Sequence, residues 1–138
     1  MEDCIFCKII KGEIPAYKIY EDDLVLAFLD IHPVAKGHTL IVPKEHARDI
    51  FEIDGKTLER IASVSKKVSL KMKENLGVEA VNLYHASGSE AEQTVFHFHL
   101  HVIPRKVGDS INFTRAVSGK DNFSDNFSET SEKLKIEG

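Results

Sequence analysis

Residues 96–104 read Phe-His-Phe-His-Leu-His-Val-Ile-Pro, and no other stretch of the chain limits its fold as sharply. Strict alternation of polar and apolar residues has a period of two, the signature of a strand with two unlike faces. His97, His99 and His101 fall on one face, and Phe96, Phe98, Leu100 and Val102 on the other. The apolar face must be covered, so the strand belongs to a sheet with a second layer packed on it. The histidine face needs another reason, because Thr, Lys or Glu would solvate a plain exposed face equally well. Alternate residues stand about 6.6 Å apart, which separates the outer two by about 13 Å. One ion cannot easily gather all three rings, so the histidines divide their labour.

Other elements follow from local pattern. Asp3 is placed to cap a short helix from Cys4 to about Lys11, with Gly12 where the chain leaves it. Tyr17–Tyr20 and Leu24–Leu29 read as a hairpin about Glu21-Asp22-Asp23, and His38–Pro43 as a further strand entered through Gly37. Leu58, Ile61, Val64, Val68 and Met72 recur at helical spacing, giving one long helix of about 20 residues that Leu76-Gly77 closes. Ala80–Tyr84 is a fourth strand, and Val95–Ile103 a fifth that Pro104 stops. A short helix is expected near Ser128–Ile136, with Asn126 and Glu129 spaced as a capping box. The pattern predicts an α+β fold: an antiparallel meander sheet, one long helix laid across it, and a short N-terminal helix. Residues 1–105 form the domain, with 106–138 an extension packed on it.

Composition excludes several classes. At 138 residues the chain has room for one core without covalent staples. Its net charge of −4 leaves no basic footprint for general nucleic-acid binding. The longest apolar run, Leu24–Leu29, is far short of the ~20 residues of a membrane helix. An acidic Met-Glu-Asp-Cys start is unlike a signal peptide, so a cytoplasmic location is expected.

Cys4 and Cys7 are the two cysteines, three residues apart, so one turn can aim both thiols at one point. Such a pair is a metal half-site, a redox pair, or two buried thiols. A thioredoxin-type redox pair follows a strand, and only three residues precede Cys4. Tetrahedral zinc would need two more ligands, for which His46 and His97 are the candidates.

The His-apolar-His-apolar-His run at 97–101 resembles the histidine-triad (HIT) family of nucleotide hydrolases and transferases. The likeness extends, in order, through Cys4–Ile10, Gly12–Ala16, Glu21–Asp23, Ala27–Ile31, Gly37–Lys44 and Gln93–Phe96, all similar to the Hint-like branch. It covers residues 4 to about 105.

The resemblance implies that His99 is the nucleophile, forming a covalent nucleotidyl-imidazole on the α-phosphorus of a nucleoside 5′-phosphoryl compound. His101 would hold phosphate oxygens, and His38 would sit near the phosphate or leaving group. Asp30 would grip the ribose hydroxyls. Ile5, Phe6, Ile9, Ile14, Phe28, Ile31 and Leu40 would form the purine slot, with Gln93 and Thr94 near the phosphate. Cys4, Cys7, His46 and His97 would hold a structural zinc, with no catalytic metal required. A homodimer paired through the long helix and an edge strand is also implied, and His32 and His85 are expected at the surface. The leading activity is hydrolysis of purine nucleoside 5′-phosphoramidates (AMP or GMP type). Dinucleoside polyphosphate hydrolysis and nucleotide-binding regulation are the alternatives. Ala86-Ser87-Gly88 stands where relatives have Asn-Asn-Gly, and Ala91-Glu92-Gln93 where they have Ala-Gly-Gln. Both changes point to slower turnover or a less anionic substrate.

Overall fold

A computed structural model describes residues 3–113 and 126–136. Its elements run α1 (Ile5–Ile10), β1 (Lys18–Glu21), β2 (Val25–Leu29), β3 (Thr39–Pro43), α2 (Gly55–Leu76), β4 (Ala80–Tyr84), β5 (Leu100–Arg105) and α3 (Phe127–Leu134). The strands form one sheet of order β1-β2-β3-β5-β4, with every neighbouring pair antiparallel. The first three strands form a meander. After α2 the chain lays β4 at the far edge and returns to place β5 between β4 and β3.

Alternation decides what each face buries. Val25, Ala27, Ile41 and Val102 meet Ile61, Val64, Val68 and Met72 of α2 in the larger core. Leu26, Phe28, Leu40 and Val42 point the other way and are covered by Phe6 and Ile9 of α1. Helix α2 starts at Asp54, whose carboxylate accepts from the Lys56 N–H, and ends at Gly77 with φ 66°. That left-handed value is the ordinary stop for a helix and suits glycine. Gly37 is needed for a second reason: at φ 93°, a Cβ there would lie 2.7 Å from the Leu76 side chain.

The β1–β2 turn is fixed to the helix through one carboxylate. Asp22 accepts from the N–H groups of Leu24 and Val25 at 2.8 and 2.9 Å, and from Tyr20 and Arg60, both at 2.7 Å. Arg60 lies on α2, so the hairpin and the helix share this anchor.

Three local expectations change. The helix cap is Cys4, not Asp3, because the Cys4 Sγ accepts the Cys7 N–H at 3.3 Å. Strand β5 begins only at Leu100. Upstream of it the Phe98 N–H donates to the Ala47 carbonyl, in a loop instead of a strand, at 2.7 Å. Pro104 does not end the strand but pairs with Val81 inside it. Opposite β3 the register closes at Thr39 and Val102, so Pro104 has no strand partner on that side to lose.

The C-terminal helix forms at Phe127–Leu134 with Asn126 as its cap. Residues 114–125 and 137–138 of the expected extension lie outside the described residues. Among the described residues of that extension, 106–113 are held at the sheet edge, where Arg105 grips Asp109 and Phe113 stacks on Tyr84. No helix among the described residues is long and apolar enough to cross a membrane.

Candidate active site and metal centre

The histidines divide into two clusters, and the backbone assigns the tautomer of each key ring. His97 is fully buried. Its Nε2 lies 2.9 Å from the Pro43 carbonyl, which can only accept, so Nε2 carries the proton and Nδ1 a free lone pair. That Nδ1 faces Cys4 Sγ at 3.3 Å, Cys7 Sγ at 3.6 Å and His46 Nδ1 at 3.0 Å. Cys7 Sγ in turn lies 3.3 Å from His46 Nδ1.

These four ligand atoms lie within 4.8 Å of one another. A tetrahedral zinc with bonds of about 2.3 Å to sulfur and about 2.0–2.1 Å to nitrogen has nitrogen–nitrogen edges near ~3.4 Å. Its nitrogen–sulfur edges are near ~3.6 Å. The observed separations agree within a few tenths of an ångström. Burial, together with the hydrogen bond and charge of neighbouring Cys4, pushes the Cys7 thiol up to about 11. Burial thus keeps the Cys7 thiol protonated by itself, and only a cation between the two sulfurs would stabilise them as thiolates. The donor set and the His97–Pro43 bond both fit a bound ion.

The second cluster joins the end of β2, the start of β3 and β5. The Val34 N–H donates to His38 Nδ1 at 3.1 Å, which leaves the His38 proton on Nε2. His38 Nε2 then donates to His101 Nδ1 at 2.8 Å, so the His101 proton sits on Nε2. Asp30 Oδ2 stands 3.5 Å from His38 Nε2, while its Oδ1 accepts from the His32 N–H at 2.9 Å. Asp30, His38 and His101 are close enough to chelate an ion in principle. Here the chemistry argues against it, since both His38 nitrogens are already committed to hydrogen bonds.

His99 sits between the clusters. Its Nδ1 donates to the His97 carbonyl at 2.8 Å, which leaves the lone pair on Nε2. Phe6 packs edge-on against this ring with centroids 5.2 Å apart, and the His101 ring lies 5.0 Å away. Burial lowers the affinity of His99, His101 and His38 for protons, and for His101 takes it to about 4. Burial thus favours the neutral form of all three rings. A buried neutral imidazole with a fixed tautomer and an open lone pair is a poised nucleophile.

The other expected residues are distributed unevenly. Phe6, Ile9, Phe28 and Leu40 form one apolar cluster, with Ile14 packed against it. Ile5 and Ile31 stand outside this cluster, and Ile31 is 69% exposed. Gln93 is buried and fully engaged: its Oε1 accepts from the Gly88 N–H, and its Nε2 donates to the Arg48 and Val95 carbonyls. It binds two loops together. Thr94 is exposed beside a cavity of about 570 Å³ that Cys4, His46 and Phe96 also line.

His85, expected at the surface, is half-buried and touches the segment that carries His99. Its Nδ1 donates to the His99 carbonyl at 2.9 Å, and its ring stacks on Phe98 at 4.1 Å. A signal for it was present in the sequence: it follows the last residue of β4, opposite the histidine strand.

A single chain segment that feeds alternate histidines to two separate clusters defines a histidine-triad architecture. Among known proteins, residues 11–108 match the HIT domain, and the chain belongs to this family. It is 53% identical over 117 residues to an uncharacterized HIT-like protein of Borreliella burgdorferi, covering 83% of this chain and 84% of that one. It is 40% identical over 109 residues to an adenylylsulfatase of Arabidopsis thaliana, covering 79% of this chain and 55% of the plant protein. A zinc-bound histidine triad family protein from Mycobacterium smegmatis superposes with a TM-score of 0.77 at 41% identity, with 81% of each chain covered.

Proposed function

We propose that this protein is a nucleotide-binding hydrolase that cleaves purine nucleoside 5′-phosphoramidates through a nucleotidyl-histidine intermediate. The observation that carries this reading is the hydrogen bond from His99 Nδ1 to the His97 carbonyl, which leaves Nε2 as the only lone pair on a neutral ring. His99 Nε2 attacks the α-phosphorus to form the N–P bond, the P–N electron pair leaves with the amine, and the amine takes a proton from water. Water then attacks the same phosphorus, releasing the nucleoside monophosphate and restoring His99.

The His38–His101 relay supports the step by aiming the His101 Nε2–H outward. A neutral donor stabilises a developing oxyanion without becoming an acid itself. Asp30 suits the ribose, because a carboxylate accepts from two hydroxyls and repels a phosphate. The cluster of Phe6, Ile9, Phe28 and Leu40 offers an apolar wall to a purine. The adenylylsulfatase among the relatives supports an adenylyl group as the transferred unit.

Cys4, Cys7, His46 and His97 would hold a zinc ion, whose part is structural: it ties α1 to the segment just before β5. The zinc-bound mycobacterial relative supports that choice of metal. A homodimer is favoured by β4, an edge strand of Ala80, Val81, Asn82, Leu83 and Tyr84 with no charge to discourage pairing.

The test is AMP release from adenosine 5′-phosphoramidate, followed chromatographically for wild type and His99→Ala. Release by the wild type alone is expected. Equal release by both proteins would overturn the mechanism, and binding without release by either would replace hydrolysis with nucleotide binding.

A further inference from the structure

The β4–β5 ladder stops short of the nucleophile. Its last register pair is Tyr84 with His101. On the other side, the β3–β5 register ends at Ile41 with Leu100. The residue that would receive the reacting phosphorus therefore lies one step beyond the sheet. Its backbone must be held by something other than strand pairing, since a nucleophile displaced by about 1 Å can lose about 100-fold in rate.

His85 stands where the ladder would continue. Its Nδ1 lies 2.9 Å from the His99 carbonyl, and a carbonyl can only accept, so His85 Nδ1 carries the proton. His85 Nε2 is then an acceptor, and it takes the hydroxyl proton of Ser87. The Ser87 oxygen itself accepts from the Ile50 N–H at 2.9 Å. The imidazole stacks nearly parallel on Phe98, with an interplanar angle of 24°. Every polar atom of the chain Ile50 N–H, Ser87 hydroxyl, His85 ring and His99 carbonyl thus has a defined direction.

The far end of this relay is also anchored. Residues 47–50 accept the Phe98 N–H at the Ala47 carbonyl and the Gln93 amide at the Arg48 carbonyl. The loop that follows His46 therefore holds the nucleophile segment from two directions, through Phe98 directly and through Ser87 and His85.

We propose that His85 is a positioning residue for His99: a side-chain substitute for the missing strand pair, kept in one tautomer by Ser87. This proposal rests on the reading of His99 as nucleophile. His85 does not touch the reacting atoms. It fixes the peptide from which His99 projects, and so the angle at which His99 Nε2 meets phosphorus.

The experiment compares wild type, His85→Phe, His85→Asn and Ser87→Ala as full-length protein, using adenosine 5′-phosphoramidate and ring-nitrogen resonances of His99. His85→Phe keeps a ring on Phe98 and removes both hydrogen bonds, whereas asparagine places an N–H where Nδ1 stood. The expected result is a kcat loss of about 10- to 100-fold in His85→Phe with KM unchanged within about two-fold. His85→Asn should recover most of that loss, and Ser87→Ala should lose about five-fold in kcat. Unchanged kcat in a folded His85→Phe, or equal losses in the Phe and Asn variants, would overturn the proposal. Where His85→Phe does not fold, Ser87→Ala decides, and an unchanged kcat there overturns it equally. If the wild type releases no AMP, the functional reading has failed, and the His99 resonances decide positioning alone. A shift in His85→Phe that His85→Asn reverses upholds positioning; identical His99 signals in all variants refute it.

Discussion

His38 donates its Nε2 proton to His101 Nδ1 across 2.8 Å, and the Val34 N–H fixes the direction of that gift from the far side of the His38 ring. The pair works only while both rings are neutral. Burial, reinforced by the neighbouring His99 and His38, lowers His101 to about 4 from an ordinary 6.5. In the unfolded chain the same ring takes up its proton at the ordinary value. The unfolded state therefore binds more protons between those two limits, and stability falls as pH drops through 6.5 toward 4. At pH 5 the His101 share of that loss is about 2 kcal/mol. Urea unfolding at pH 7, 6 and 5 should show a smaller fall for His101→Gln than for wild type, and an equal fall would remove His101 as the source.

The cysteine–histidine cluster predicts one tightly held ion per chain. Cys4→Ser, Cys7→Ser and His46→Ala should each lower metal content, measured by plasma emission on purified protein, while His99→Ala should keep it. A bound ion would close a loop from α1 to the segment before β5, so stripping it with a chelator should lower the melting temperature by about 10 °C. Full thermal stability after complete removal would deny the ion a structural part.

How far the sequence revealed this architecture depends on where local pattern met tertiary demand. Alternation placed Phe98 and Val102 on the core side, and helical spacing found the buried face of α2 at Ile61, Val64, Val68 and Met72. It overextended β5, because nothing local says that the Phe98 N–H bonds to Ala47 instead of to a strand. Asp3 looked the better cap by residue type. The thiols must converge, and that geometry gives the cap to Cys4. The convergence of Cys4 and Cys7 was legible because spacing limits where two thiols can point, while His46 and His97 joined them as candidates fixed only by the family resemblance. For His85 only its place just after β4 was legible, because its part depends on which pair ends the β4–β5 ladder.

Asp22 predicts a large stability effect from a position outside the candidate site. Burial alone would raise its carboxyl, but the Arg60 guanidinium, the Leu24 and Val25 N–H groups and the Tyr20 hydroxyl together hold it well below the usual carboxylate range. Asp22→Asn leaves Arg60 only its longer contact to Asp23, at 3.4 Å, and weakens the turn that starts β2. The expected cost is about 2–3 kcal/mol by urea unfolding at pH 7. The sign follows from the lowered carboxyl: its contribution is complete above about pH 4 and is lost as pH falls below that. The difference between Asp22→Asn and wild type should therefore shrink in acid, and a difference independent of pH would show that the carboxylate charge is not involved.

Glu92 occupies the left-handed region at φ 71°, just after the short turn at Ser89–Ala91, where its N–H donates to the Ser89 carbonyl. A residue with a Cβ pays about 1 kcal/mol or more to stand there, and glycine does not. Glycine also loses more chain entropy on folding, by about 0.5–1 kcal/mol, so the two effects partly cancel. The side chain is exposed and forfeits little packing when removed. Glu92→Gly should therefore stabilise the protein by about 0.5 kcal/mol, whereas Glu92→Ala, which keeps the Cβ and its strain, should not. Thermal melts of the two variants separate backbone strain from side-chain charge. If alanine stabilised as much as glycine, the carboxylate and not the backbone would be the cause, and the left-handed residue would carry no cost in this loop.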